Sequence, residues 1–171
     1  MASYPQTRLA SAPDFPWHML RPSPSGRLHV AAVCYRVRES QIEFLLVRTQ
    51  SGKWTFPKGG VDNDPTLAAA ARREAYEEAG VRGTVDHLPF ASYRHRKSRA
   101  PKHQEVDVAA HLCRVARVEP ALEPDRQPTW FSFDAARKRV RENRRPKYAA
   151  ELDRVLLEAR RRIHQRTRPS A

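Results

Sequence analysis

The chain has 171 residues, with Lys+Arg 32 against Asp+Glu 19, a formal charge of +13 and an isoelectric point near 10.6. That length predicts one domain. The mean hydropathy of −0.75 is polar, yet Val, Leu, Ile, Phe and Trp are grouped in runs that can build a core, which argues against a disordered chain. No apolar run nears the roughly 18 to 20 residues of a membrane-spanning helix, and no signal peptide is recognisable, so a cytoplasmic protein without a membrane partner is expected.

Residues 1–26 hold Pro5, Pro13, Pro16, Pro22 and Pro24 without periodic apolar spacing and read as a proline-rich arm. From Leu28, LHVAAVCYRV and IEFLLVRT read as paired strands joined by a turn at ESQ, and KWTFP as a short strand running into Gly59 and Gly60. PTLAAAARREAYEEAG predicts a helix in which Asp64 caps, Pro65 takes the first helical position and Gly80 is the stop. VRGTVDHLPFASYRHR and EVDVAAHLCRVARV predict sheet strands, 119–128 a loop before TWFSF, and FDAARKRVRE a short helix. A last helix opens near Pro146, its apolar stripe made by Tyr148, Leu152, Val155, Leu156, Ala159 and Ile163. This order predicts a mixed sheet with helices on its faces, over 27–166, followed by a basic tail at 167–171. Cys34 and Cys113 sit inside apolar runs without metal-knuckle spacing, so buried free thiols are expected.

The excess positive charge points either to a polyanionic partner or to a solvated surface, and composition does not choose. Against it stands one acidic feature. Glu74, Glu77 and Glu78 occupy i, i+3 and i+4 on the central helix, close to its C-terminus. Like charges at that spacing repel, and the helix dipole disfavours anions there. Ion pairs with Arg72 and Arg73 would relieve the face in part; a hard divalent ion such as Mg²⁺, which takes carboxylate oxygens and bridges to phosphates, would do so more fully. Phe56-Pro57-Lys58-Gly59-Gly60 upstream lets the backbone bend and approach a ligand closely.

At this spacing the segment resembles the signature of the Nudix hydrolases: Gly, five residues, Glu, seven residues, then Arg-Glu-apolar-any-Glu-Glu-any-Gly-apolar. Counted from Gly59, the chain supplies Arg73, Glu74, Ala75, Glu77, Glu78, Gly80 and Val81, with Pro65 where the family has its first glutamate and Asp64 just before it. The resemblance implies an α/β fold of the Nudix type, an α/β/α sandwich around a mixed sheet, and metal-dependent cleavage of a phosphoanhydride with Mg²⁺ or Mn²⁺. It makes Glu74, Glu77 and Glu78 the metal ligands and catalytic acids, and Arg73 and Gly80 structural, with Asp64 standing in as the brace to Arg73. HVAAVCYRV, EEAGVRGTVDHL, the basic loop ending in KH, and TWFSFDAARKRV are similar in order and spacing to the diphosphoinositol polyphosphate and diadenosine polyphosphate branch, over about residues 27–158.

Further roles are expected around this centre. Glu105 is a candidate metal ligand or general base, or else a surface acid. In the branch it resembles, basic residues before and within the first strand bind phosphates, which places Arg27 and His29; Lys58, Gly59, Gly60 and Arg48 are further candidate phosphate contacts. The segment from Tyr93 to His103, with Arg94, Arg96, Lys102 and His103, reads as a positive mouth. The expected partner is a polyanionic, phosphate-rich small molecule, a diphosphoinositol polyphosphate or a dinucleoside polyphosphate. The alternatives are a pyrophosphohydrolase of RNA 5′ ends and a non-catalytic Nudix-fold module that binds nucleic acid. Arg160, Arg161, Arg162, Arg166 and Arg168 form a second basic region, and the sequence leaves the oligomeric state open.

Overall fold

The computed structural model describes residues 28–97 and 104–167. The proline-rich arm, Arg27, Lys102, His103 and Arg168 lie outside the described residues. Strand β1 (Leu28–Arg38) turns through Glu39 and Ser40, both at positive φ, into β2 (Gln41–Arg48). Then follow β3 (Trp54–Thr55), β4 (Lys58–Gly60), helix α1 (Leu67–Ala79), β5 (Val81–Val85), β6 (Ala91–Arg96) and β7 (Glu105–Val118). A one-turn 3-10 helix (Pro124–Arg126) leads to β8 (Thr129–Ser132), α2 (Phe133–Arg141) and α3 (Pro146–Thr167).

The sheet runs β3-β2-β1-β7-β5, with β4 paired to β1, β6 to β7 and β8 to β2. β1 and β7 pair in parallel and the other ladders are antiparallel, so the sheet is mixed, as expected. Helices cover both faces, and this explains why β1 reads as an unbroken apolar run. Its Ala31, Val33 and Tyr35 join the core under α2 and α3, while Val30, Ala32 and Cys34 join the core under α1. Cys34 and Cys113 are ladder partners, buried and unbridged. The stripe of α3 buries Leu152, Val155, Leu156, Ala159 and Ile163, and the helix runs through Thr167. No helix among the described residues is long and apolar enough to cross a membrane.

Two local expectations need correction. The single strand expected from KWTFP is two, β3 and then β4, in which Lys58, Gly59 and Gly60 are the ladder partners of Ala31, Val30 and His29. The N-cap of α1 is Thr66, whose hydroxyl accepts the Ala69 N–H at 3.0 Å, and the helix starts at Leu67 rather than at Pro65. Asp64 cannot cap because its carboxylate is taken by Arg73. The predicted stop holds: Gly80 sits at φ 66° and donates to the Ala75 and Tyr76 carbonyls. A Cβ there would also overlap the Glu119 carbonyl, so glycine is required twice over.

Candidate active site

The alanines of α1 set the geometry. Ala68, Ala70, Ala71, Ala75 and Ala79 pack on Val30, Ala32 and Val81, and side chains this short bring the helix close to the sheet. The acids of α1 therefore reach the β4 backbone. Glu78 Oε2 accepts the Lys58 N–H at 3.1 Å. Glu74 lies against Gly59, and any Cβ at residue 59 would occupy the space of the Glu74 carboxylate. Gly59 is thus demanded by close approach, as the sequence pattern suggests.

Arg73 ties loop to helix. Its Nε and Nη2 donate to Asp64 at 3.1 and 3.0 Å, Nη2 also to the Gly60 carbonyl at 3.0 Å, and Nη1 to Glu74 at 2.8 Å and Glu77 at 3.1 Å. Asp64 is the brace that the resemblance asked of it, with Asp62 adding a 3.6 Å contact. The Asp64 hydrogen bond chiefly holds the Arg73 guanidinium above its ordinary range.

The three acids differ in a way that the bare spacing hides. Glu74 and Glu78 are buried, and Glu77 is partly exposed. Burial pushes the Glu74 carboxyl up against the pull of Arg73, and raises Glu78 to about 7 against the pull of Arg126 and Lys58. As the side chains stand, no group of three acidic, His or Cys donors converges on one point among the described residues, because Arg73 and Arg126 hold the carboxylates. The donor chemistry nevertheless fits a hard divalent ion: carboxylate oxygens from successive turns of one helix, two of them on buried residues.

Half-buried basic side chains from other elements lie within electrostatic reach of these acids. Burial pushes the Lys58 ammonium down, opposed by Glu78 and assisted by Arg126 and Arg144. Arg144 is likewise lowered by burial, its Nη1 donating to the Val140 carbonyl at 2.7 Å. His95 is lowered to about 3, first by burial and then by the charges of Lys58, Arg144, His29 and Lys97, so it is neutral at physiological pH. Among the described residues the buried Tyr93 hydroxyl has no hydrogen-bond partner, and burial raises its pKa. A buried donor left open beside several cations is a place where an anion's oxygen would be satisfied.

Some expected residues are elsewhere. Glu105 is not joined to the α1 acids: it accepts from Lys147 at 2.7 Å and Tyr148 at 2.8 Å, bonds that hold its carboxyl below the usual range and make it a poor base. Arg94 is drawn to Asp107 at 3.4 Å and Glu105 at 3.7 Å, and Arg96 is the ladder partner of Glu105. Arg48 lies over the Trp54 ring at 5.3 Å and donates to the Gly52 carbonyl at 3.1 Å, in a separate cavity of about 500 Å³ that Phe131 and Arg139 also line. Conversely, Arg126 lies within the 119–128 loop and Arg144 between α2 and α3, and the sequence marks neither as a site residue. An arginine in a connection gives no sign of the acid or phenol it will face.

The family model "NUDIX domain" matches residues 27–152. Nudix hydrolase 16, mitochondrial, from Arabidopsis thaliana is 42% identical over 76 residues, 44% of this chain and 40% of that protein. Diphosphoinositol polyphosphate phosphohydrolase 3-beta from Homo sapiens is 31% identical over 139 residues, 78% of this chain and 81% of that one. Among solved structures, the binary complex of the C. elegans Ap4A hydrolase superposes with a TM-score of 0.61 at 22% identity, over 81% of this chain and 98% of that one, which establishes the likeness of fold.

Proposed function

The chain belongs to the Nudix family of hydrolases, and on that premise we propose that it cleaves, with a divalent ion, a phosphoanhydride of a phosphate-rich small molecule: a diphosphoinositol polyphosphate or a dinucleoside polyphosphate. The observation that carries the reading is the seating of buried Glu74 and Glu78 on the β4 backbone, Glu78 on the Lys58 N–H and Glu74 against Gly59, with the basic groups of Lys58 and Arg144 nearby. Acids with cations close by match a polyphosphate held together with its metal.

Glu74, Glu77 and Glu78 would hold Mg²⁺ or Mn²⁺. When bound, such an ion neutralises phosphoryl oxygens and lowers the pKa of the attacking water. The Lys58 N–H fixes the Glu78 carboxylate, while the Lys58 ammonium and the Arg144 guanidinium offer charge to the non-bridging oxygens. Arg73 keeps β4 and α1 in register by gripping Asp64, the Gly60 carbonyl and two of the acids at once. Neutral His95 can donate a hydrogen bond to a phosphate oxygen without adding a further positive charge beside Lys58 and Arg144. Gly59 and Gly60 bring unobstructed backbone to the same wall.

The test is a panel of diphosphoinositol polyphosphates, dinucleoside polyphosphates and triphosphorylated RNA, each with Mg²⁺ or Mn²⁺. Release of phosphate or nucleotide from a small-molecule class, lost in Glu77→Gln, is the expected result. Preferential turnover of RNA, with affinity falling steeply as salt rises, would replace this reading with the RNA-end alternative. No turnover of any member would remove the enzymatic reading.

A further inference from the structure

Arg126 occupies a position that the function above does not explain. Glu78 has a side chain only 5% exposed, and both of its oxygens are engaged: Oε2 by the Lys58 N–H at 3.1 Å and Oε1 by Arg126 Nη2 at 3.0 Å. A divalent ion entering this carboxylate would meet a guanidinium already on it. Two cations cannot share one buried oxygen without strong repulsion.

The arginine is held there by built contacts. Arg126 Nε donates to Glu123 at 2.6 Å, and the Glu123 N–H donates to the Glu77 carbonyl at 3.0 Å. One step earlier, the Glu119 N–H donates to the Gly80 carbonyl at 2.8 Å. The segment 119–126 is therefore latched onto the C-terminal end of α1, where it satisfies helix carbonyls and delivers a positive charge to the acid just upstream. Gln127 then turns away at φ 48°. The latch depends on α1 being intact, so the guanidinium is positioned by the same helix that carries the acids.

We propose that Arg126 and the divalent ion compete for Glu78, so that the latch sets how much metal the protein needs. This rests on the metal-dependent reading and adds to it a regulating residue from outside the signature. In the metal-free protein Arg126 keeps a buried carboxylate from standing uncompensated. When the ion enters, the guanidinium leaves Glu78 but stays tethered to Glu123.

The test is Mn²⁺ binding, read by the electron paramagnetic resonance signal of free Mn²⁺, on the full chain without substrate. Arg126→Gln should bind Mn²⁺ about tenfold tighter than wild type. Glu123→Gln, which loosens the arginine without touching Glu78, should tighten binding by a smaller factor, and it serves should Arg126→Gln fold poorly. Unchanged or weaker binding in both variants overturns the competition while the metal site stands, because Glu77→Gln would still abolish Mn²⁺ uptake. A different signature marks failure of the underlying reading: wild type and variants all leave Mn²⁺ free, which overturns the competition as well.

Discussion

Helices α1 and α3 lie on opposite faces of one sheet and treat charge in opposite ways. α1 buries Glu74 and Glu78; Glu78 takes its partners from distant segments, the Lys58 N–H and Arg126, while Glu74 is held by Arg73 beside it. In α3, Arg154, Arg161 and Arg162 pair with Glu151 and Glu158 one turn away, mostly in solvent. Such local surface pairs stabilise by about 0.3–0.5 kcal/mol each, whereas a buried pair that loses one partner costs roughly 3–5 kcal/mol. The chain's +13 charge is therefore a poor guide to its chemistry. What matters is where water is excluded.

The largest expected effect lies on α1. Glu78→Gln removes charge but little volume, and should lower metal-dependent turnover by about 1,000-fold, several kcal/mol of transition-state stabilisation, with the circular dichroism spectrum retained. Normal turnover in a folded variant would break the comparison. Next, Gly59→Ala forces a Cβ into the space of the Glu74 carboxylate and should destabilise by roughly 1–3 kcal/mol in denaturant titration.

The contrast is sharpened within α3 itself. Asp153 is its buried acid, gripped by Arg137 at 2.6 and 2.9 Å and by Arg141 at 2.8 Å, all from α2. Asp153→Asn should cost about 2 kcal/mol, while Glu158→Gln on the exposed side should cost no more than about 0.5 kcal/mol. Between these falls a pH effect. His95 is neutral in the native protein down to about pH 3, whereas in the unfolded chain it binds a proton below about 6.5. The unfolded state therefore gains protons as pH falls through that window, and stability is lost. His95→Gln should remove just under about 2 kcal/mol of the stability difference between pH 7 and pH 5, measured by urea unfolding. An unaltered acid limb would show that His95 is open to water.

Elements whose signals are local were legible in the sequence. The β1 run, the Gly80 stop and the stripe from Leu152 to Ile163 all follow from spacing and composition. The cap of α1 was misplaced because Asp64, a good cap residue, is claimed by Arg73 nine positions on, a competition only the folded chain reveals. β4 was hidden because its residues, Lys58, Gly59 and Gly60, lack strand propensity and pair only because β1 is beside them. The acids, Arg73 and the glycines of the site could be read from one continuous segment. Arg126 and Arg144 could not, since their roles depend on tertiary approach, and Glu105 looked available only until Lys147 and Tyr148 folded onto it.

The most direct test is an anomalous-scattering crystal structure of the protein grown with Mn²⁺. An ion bonded to Glu77 and Glu78, with Arg126 moved off Glu78, is the predicted result. A Glu78 carboxylate still paired to Arg126, with no ion on α1 at saturating Mn²⁺, would contradict it.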